Sequence, residues 1–401
     1  MVVGAGAVGI TLALDLARRG AKVTVLERGP VVGAGCSAGN AGVVGASQVT
    51  PLASMQALRE GLASLPQRHA AFSLKARPRV VPWLARFAAA ATPARHAAAT
   101  AVLQRLAARS AALHAAMGRD LDVGYVRGGF LSVYEREASL SAASAQAARS
   151  PSAADVLDAS TLRTEVPELA HGPIGGVRFL DDAHVDPPRF VSAVATEVER
   201  LGGSVRTGVE VLGVRRTGGR VTALVTTEGD VACGQLVIAA GAWTPWLSRG
   251  LGVRIPVLGG KGYFVEYDAP LALRQPVYFP ERRMVVTPLA DRVRLTGMFE
   301  LCGTDLRVDN ARVDAMRHQA ALLVPRLADL RTTGVWRGLR PCTPDGLPIV
   351  GRVPRLSNAW LTTGHGMWGL QLALVTAELL GGALAGRPEH EALAPLALSR
   401  F

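Results

Sequence analysis

A glycine-rich turn at residues 4–9 (GAGAVG) has the spacing of a dinucleotide-binding motif. It follows an apolar strand and opens a helical pattern, and Glu27 lies eighteen positions beyond its last glycine. Gly4 permits the tight turn, Gly6 lets the backbone approach a pyrophosphate, and Gly9 lets the helix and strand pack closely. The helix N-terminus adds N–H donors and a positive dipole, and Glu27 would accept hydrogen bonds from ribose hydroxyls. The pattern therefore predicts a bound dinucleotide.

Two later segments favour a flavin over NAD. An apolar strand ends in AAGAW at residues 239–243, and GHGMWG at residues 364–369 opens an apolar helix that extends to Ala385. A helix N-terminus beside a flavin ring would stabilise the negative charge of the reduced ring, whereas an NAD enzyme has no use for this second turn. These segments predict FAD as the cofactor.

Seven segments, in order along nearly the whole chain, resemble one known family. They are GAGAVG (4–9), CSAGNAGVV (36–44), HVDPPRF (184–190), VIAAGAW (237–243), GGKGYF (259–264), WRGLRPCTPDGLPIVG (336–351) and TGHGMWGL (363–370). The last two are the most specific. In these segments the chain resembles the D-amino acid oxidase-like FAD-dependent oxidoreductases, and within them the bacterial D-amino acid dehydrogenase and D-hydroxyproline dehydrogenase branch.

The resemblance implies a set of flavin contacts by position. Val211 would flank the adenine through its backbone, with Val209 as the alternative register. No residue indicates covalent attachment, so the FAD is expected to be non-covalent, with Cys36 and Cys342 as small core thiols. The implied contacts are Gly4, Ala7, Val8, Gly9, Glu27, Arg28, Ser37, Asn40, Ala41, Gly42, Val211, Ala240, Gly241, Trp243, Gly364, His365, Gly366, Met367, Trp368, Gly369 and Leu370.

The same resemblance implies oxidation of the CH–NH bond of a small amino acid, of the D-amino acid or D-proline and hydroxyproline type. Flavin N5 would accept hydride from the substrate Cα, and the imino acid would hydrolyse to a 2-oxo acid. No strong general base is needed once the amine is neutral.

Three residues are candidates for the substrate pocket. Arg340 would bind the substrate carboxylate through its planar guanidinium, unless it pairs with Asp345 in the same turn. Tyr263 would close the pocket or hydrogen-bond the carboxylate, with packing as the alternative. His365 would touch the ring or the substrate amine, or else only orient the backbone. The histidines show no spacing typical of a metal site.

Composition and charge leave rival interpretations. The formal net charge is +12, but only three of the 44 basic residues are lysines and no basic run occurs, so the charge predicts a solvated surface and no nucleic-acid binding. Two rivals remain: a glycine or sarcosine oxidase that uses O₂, and a flavoprotein subunit of a larger dehydrogenase complex. The electron acceptor would be a quinone or an electron-transfer protein.

Cysteine spacing and the N-terminal residues bear on localisation. Four scattered cysteines and no signal peptide predict a cytoplasmic protein. Residues 80–91 are too short to cross a bilayer and are expected to form a surface helix, or to attach the protein peripherally to the inner face of the membrane. Residues 367–385 are apolar but contain three glycines, which predicts a buried core helix.

The elements needed to position these residues predict an α/β fold. It has a Rossmann-like FAD/NAD(P)-binding domain and a second, substrate domain built on an antiparallel sheet plus inserted helices. The predicted FAD-binding domain comprises residues 1–49, 186–246 and 336–401. The predicted substrate domain comprises residues 50–185, with a helical insert at 50–116, and residues 247–335.

Overall fold

The computed structural model describes residues 1–63, 72–74, 80–150, 152–388 and 391–401. Its helices are α1 (Ala7–Arg18), α2 (Met55–Ala63), α3 (Val81–Ala90), α4 (Pro93–Asp120), α5 (Glu137–Ala147), α6 (Ala159–Glu165), α7 (Pro187–Arg200), α8 (Thr244–Leu247), α9 (Asn310–Ala321) and α10 (Ala373–Leu384). Its strands are β1 (Val2–Val3), β2 (Thr24–Leu26), β3 (Val43–Val44), β4 (Phe72–Leu74), β5 (Phe130–Tyr134), β6 (Ala154–Asp158), β7 (Gly175–Phe179), β8 (Ala183–His184), β9 (Ser204–Arg206), β10 (Val211–Thr217), β11 (Arg220–Thr226), β12 (Gly229–Ala232), β13 (Leu236–Ile238), β14 (Leu258–Tyr267), β15 (Val277–Phe279), β16 (Met284–Pro288), β17 (Val293–Leu301), β18 (Thr332–Cys342), β19 (Ile349–Arg352) and β20 (Ala359–Thr363).

The first sheet has the strand order β19-β20-β13-β1-β2-β9. All neighbours are parallel except β19 and β20. Because successive strand residues point to opposite faces, Val2 and Val25 enter one core while Val3 and Leu26 enter another. Both faces are therefore buried, which is typical of a parallel sheet.

Helices α1, α7 and α10 cover one face of this sheet, and α4 packs on α10. The antiparallel meander β10-β11-β12 lies over the other face. This arrangement confirms the predicted Rossmann-like α/β class.

The second sheet has the order β18-β14-β17-β16-β15-β5-β7-β6, with β4 added beside β17. Most pairs are antiparallel, and β15–β5 and β17–β4 are parallel. One face packs on α9 through a core that includes Tyr263, Val265 and Met316. The mainly antiparallel second sheet confirms the antiparallel sheet predicted beside the Rossmann-like fold.

Three sequence-based expectations need correction or comment. The last helix begins at Ala373, nine residues after the start of the GHGMWG turn, so the turn itself is not helical. Helix α9 lies within residues 247–335, which were expected to contribute to the antiparallel sheet. In α3 the two largest apolar side chains, Trp83 and Phe87, are buried against the protein, so an ordinary surface helix describes it.

The expected helical insert at 50–116 contains α2, α3 and most of α4, and parts of it lie outside the described residues. Helix α4 extends to Asp120 and contributes Leu103 and Leu106 to the same core as α1 and α10. The residue ranges given for the two domains stay a prediction.

Candidate active site

A cavity of about 590 Å³ lies where the two sheets meet. The first sheet contributes the carboxyl ends of β1, β2, β13 and β20, and the second contributes β18, its edge strand. Ligands of open α/β sheets bind beyond the carboxyl ends of the strands, so this is the expected place for a dinucleotide.

The first glycine turn is built for close backbone approach. Gly4 has a φ of +107°, a region that favours glycine, and a Cβ there would lie 2.6 Å from the Ala239 carbonyl oxygen. A Cβ at Gly9 would overlap the Gly4 carbonyl oxygen. The absence of side chains at these two positions therefore lets β1, β13 and α1 meet around a cradle that suits a pyrophosphate.

Glu27 and Ser37 brace this turn from two sides. The Glu27 carboxylate accepts hydrogen bonds from the backbone N–H groups of Ala5 and Gly29, both at 2.8 Å. Ser37 Oγ accepts the Ala7 N–H at 2.8 Å, at the first residue of α1. Glu27 lines the cavity while it holds the turn, and it retains acceptor capacity for ribose hydroxyls.

The predicted Arg28 and Trp243 contacts form one unit. The Arg28 guanidinium lies 3.8 Å from the Trp243 ring centroid, within the range of a cation–π contact. Both residues line the cavity, as do Val209 and Val211, so the structure leaves both registers of the adenine contact open.

The second small-residue loop, residues 36–42, is held by the second sheet. Arg294, which is 1% exposed, donates from Nη1 to the carbonyl oxygens of Ala38 (2.8 Å) and Asn40 (2.9 Å). Its other nitrogens donate to Glu266, the closest at 2.6 Å. Thr287 Oγ1 donates to the Ala41 carbonyl at 2.9 Å. Asn40 itself accepts the Gly42 N–H, so the loop is fixed both internally and from outside.

Arg340 is a guanidinium held away from carboxylates. In the described part of the chain, the Arg340 side chain makes one hydrogen bond, from Nη1 to the Met298 carbonyl at 3.0 Å. Its Cζ atom lies 5.4 Å from the Phe299 ring centroid. Asp345, the alternative partner, instead accepts from Arg400 Nε at 2.7 Å. Burial lowers the pKa of Arg340 below its ordinary value, and the adjacent thiols of Cys36 and Cys342 partly offset that. The Arg340–Asp345 pairing considered from the sequence is therefore wrong.

Tyr263 lies away from the cavity. It is 1% exposed, packs in the core beneath α9, and its hydroxyl accepts the Asp309 N–H at 3.4 Å. The neighbouring residue, Gly262, points toward Arg340, because a Cβ there would overlap the Arg340 guanidinium. Adjacent strand residues face opposite sides, so Tyr263 and Arg340 are not brought together.

His365 lines the cavity but directs its imidazole inward. Its Nε2 lies 3.2 Å from Thr376 Oγ1 on α10, and burial lowers the pKa of His365 to about 3. The ring is therefore neutral, and its hydrogen bond goes to another side chain, so the role of His365 stays a prediction. Its backbone also bridges to Cys342, which ties the C-terminal turn to β18.

Most of the predicted flavin contacts line this cavity. The five that do not are Ala41, Gly42, Gly364, Met367 and Trp368. The last three line a much smaller pocket beside Phe299 and Leu52. The β18 segment from Trp336 to Leu339 was not predicted as part of the site. It borders the cavity with the outer edge of β18, the edge strand of the second sheet. Its signal was present in the WRGLRP motif, from which only Arg340 had been chosen.

Comparison with known proteins settles the family. The sequence profile of the DAO family, described as FAD dependent oxidoreductase, matches residues 1–382. This chain belongs to that family. The family match indicates a flavin cofactor for this oxidoreductase. Within the described ranges, no helix is long and apolar enough to cross a membrane, and no cluster of metal-ligating side chains is present.

Curated relatives and solved structures cover this oxidoreductase almost end to end. A D-amino acid dehydrogenase from Cereibacter sphaeroides is 33% identical over 420 aligned positions, covering 100% of this chain and 95% of the relative. A D-amino acid dehydrogenase from Sinorhizobium medicae is 32% identical, with 100% and 99% covered. Glycine oxidase from Geobacillus kaustophilus shares the fold with a TM-score of 0.80 at 24% identity, covering 100% of this chain and 98% of that one. L-proline dehydrogenase from P. horikoshii does so with a TM-score of 0.71 at 18% identity, covering 98% and 94%.

Proposed function

We propose that this oxidoreductase oxidises the CH–NH bond of a small D-amino acid or cyclic imino acid. The product is an imino acid, which hydrolyses to a 2-oxo acid or persists when the substrate is a ring. The full-length similarity to proteins named D-amino acid dehydrogenase supports this substrate class. When bound, FAD supplies the two-electron acceptor for the hydride that leaves the substrate Cα.

The observation that carries the proposal is Arg340. Arg340 does not itself line the cavity, but its neighbours Leu339 and Pro341 do. A half-buried guanidinium with no carboxylate partner among the described residues is unfavourable on its own, and a substrate carboxylate would complete it. Met298 fixes one of its nitrogens through the 3.0 Å hydrogen bond, which leaves the remaining donors for a ligand. Arg340 is thereby assigned the carboxylate, with the substrate Cα placed toward the ring.

The remaining residues around the substrate orient it and exclude water. The cavity lining is more apolar than polar, with Trp336, Leu339 and Leu370 among its walls. Apolar walls that exclude water favour the neutral form of the substrate amine, whose lone pair assists the departure of hydride from Cα. Neither His365 nor Tyr263 is assigned a proton transfer, because both are buried with protein partners.

We propose that the FAD is held without a covalent bond. Cys36 is the one cysteine among the described residues that lines the cavity, and burial raises the pKa of its thiol. Burial also raises the pKa of Cys342 to about 12. Thiols of this kind are poor nucleophiles at neutral pH. Acid precipitation should release all of the flavin into the supernatant, and retention of yellow colour in the pellet would contradict the proposal.

We propose a quinone or an electron-transfer protein as the acceptor, which makes the enzyme a dehydrogenase. An oxidase acting on glycine or sarcosine is the alternative, and the glycine oxidase neighbour shares only the fold at 24% identity. Peripheral attachment to a membrane, a place in a larger complex and the residue ranges of the two domains also belong to this proposal. The comparison with dehydrogenases supports the choice of acceptor class.

Anaerobic flavin bleaching tests the proposal directly. The holoenzyme is mixed with D- and L-amino acids, D-proline, hydroxyprolines, glycine and sarcosine, and air is then admitted. Bleaching by D-amino or imino acids followed by slow reoxidation is expected. Fast reoxidation with peroxide release would make it an oxidase, and no bleaching by any member of the panel would overturn the substrate class.

A further inference from the structure

Two polar residues interrupt the buried face of α4. Ser110 and His114 lie one helical turn apart, and both are 0% exposed. The other buried positions on this helix are mainly apolar, as Leu103, Leu106 and Met117 show. Burying a hydroxyl and an imidazole costs free energy unless they are hydrogen-bonded, so their partners indicate why they are there.

Both residues bond the turn that precedes α10. Ser110 Oγ donates to the Gln371 carbonyl at 2.5 Å and accepts the Val375 N–H at 3.4 Å. His114 Nε2 lies 3.2 Å from the Leu370 carbonyl. Because Val375 is in the first turn of α10, Ser110 satisfies one of the N–H groups that a helix start leaves unpaired. A side chain from another helix therefore caps α10.

The chemistry of His114 fixes its tautomer. Burial lowers the pKa of His114 to about 4, so the ring is neutral at physiological pH. A carbonyl oxygen can only accept, which places the hydrogen on Nε2. Nδ1 has no partner among the described residues, and the ring packs on Phe190 with centroids 5.3 Å apart. The donated bond to Leu370 is therefore the specific polar contact of this side chain.

The turn that these bonds hold is part of the flavin cavity. Gly369 and Leu370 line it, and α10 begins three residues later. Fixing the carbonyls of residues 370 and 371 restricts the rotation of two consecutive planar peptides. The N–H groups at the start of this helix carry positive potential, which favours negative charge on a nearby ligand.

We propose that Ser110 and His114 are positioning residues for the flavin, which act through the backbone of residues 369–371. Helix α4 lies outside the glycine motifs, and none of its residues lines the cavity, so its contact with this turn connects it to the site. Its two polar side chains fix the peptide planes that carry the N–H groups of residues 371 and 372, which holds the cavity-lining Gly369 and Leu370 in place at the start of α10 and thereby favours the reduced flavin. The inference rests on flavin binding, and it does not depend on the substrate assigned above.

The test compares full-length variants as purified holoenzymes. Ser110→Ala combined with His114→Phe removes both donors with little change of volume. Leu106→Ala is the matched control, because Leu106 is buried on the same helix but does not bond the turn. The readouts are the dissociation constant of FAD from fluorescence titration and the flavin midpoint potential from dye equilibration, neither of which needs a substrate.

The double variant is expected to bind FAD about tenfold more weakly and to lose about tenfold in preference for reduced over oxidised flavin. For a two-electron couple, that loss is a fall of about 30 mV. His114→Gln keeps an N–H donor of similar reach and should restore most of the potential. A potential equal to that of Leu106→Ala, with only thermal stability lowered, would overturn the inference. If the double variant retains no flavin while Leu106→Ala does, the expected loss of FAD affinity is confirmed. The midpoint potential is then measured on His114→Gln alone.

Discussion

Strand β14 has two sides that differ in chemistry. On one side, Gly262 leaves room for the Arg340 guanidinium, and Phe264 stacks on Trp336 with ring centroids 5.4 Å apart. On the other side, Lys261 and Tyr263 enter the core beneath α9, where Lys261 Nζ lies 2.7 Å from Glu300. Residues one position apart thus face either Arg340, the proposed substrate-binding residue, or the core that supports the sheet.

The difference teaches that a motif does not identify which of its residues reach a ligand. The GGKGYF segment places Tyr263 beside Gly262, and both belong to the family resemblance. The two-residue alternation of a strand sends their side chains to opposite faces, so only one of them can face Arg340. The glycine, which has no functional group, is the residue that shapes the site.

Arg340→Met is the strongest test of the side of β14 that faces Arg340. The variant keeps the length of the side chain but removes the charge and the fork that bind a carboxylate. We expect kcat/KM for the best amino acid to fall by roughly a hundredfold or more. Steady-state kinetics with an artificial electron acceptor measures this, with the flavin content checked by absorbance. A loss of less than threefold would remove Arg340 from the site.

Gly262→Ala tests the same side of β14 by filling the space beside Arg340, without removing the charge of the arginine. A Cβ at Gly262 would overlap the Arg340 guanidinium, so the arginine must move. We expect KM to rise about tenfold with a smaller change in kcat, as expected when ground-state binding is lost. Gly334→Ala in β18 is the control, because its Cβ meets nothing within 4 Å and its φ does not demand glycine. Equal kinetics for the two variants would contradict the geometry.

Lys261→Met addresses the supporting side. Lys261 and Glu300 are each 1% exposed, and removal of one member of a buried ion pair costs about 3–5 kcal/mol. We expect a lower free energy of unfolding in denaturant titrations of the holoenzyme, with KM changed less than twofold. A KM effect as large as that of Gly262→Ala would mean that the two sides are not separate.

Tyr263→Phe should have the smallest effect. The variant loses the 3.4 Å hydrogen bond from the Asp309 N–H and the polar contact with Lys261, each worth about 0.5–1.5 kcal/mol. Steady-state kinetics should show kcat/KM within twofold of the wild type. A tenfold loss of kcat/KM with unchanged stability would restore Tyr263 to the substrate site.

The parts of the fold set by local sequence were predictable. The glycine motif, helix α1 and strand β13 occur where the sequence pattern places them, because chain direction, turn chemistry and apolar spacing are local properties. Helix α9 was not predicted, since its apolar residues do not form a strong helical stripe and it is stabilised by packing on the second sheet. The start of α10 was also misplaced, because apolar residues continue across the turn before it.

The motifs that form the site were predictable from the sequence, but which side chains of each motif face the cavity was not. Most of the predicted flavin contacts line the cavity, and Asp345 pairs with Arg400 and not with Arg340, whose role stays a prediction. Arg294 was missed, because a charged residue in a strand shows no sign that it crosses to a loop some 250 residues earlier. Such contacts depend on how two sheets meet, which no single segment encodes.

The first sheet also determines when the enzyme becomes competent during synthesis. Val2 pairs with Val237, and Val237 pairs with Trp360, so neighbouring strands leave the ribosome hundreds of residues apart. Pairings this distant in sequence form slowly, and loop-closure entropy opposes them until the last partner exists. The cavity walls extend from Val3 to Leu370, so a nascent chain has no complete cavity until Leu370 has been translated. We therefore expect FAD to bind only after this segment has been synthesised, and the apoprotein to be the species that chaperones and proteases first meet.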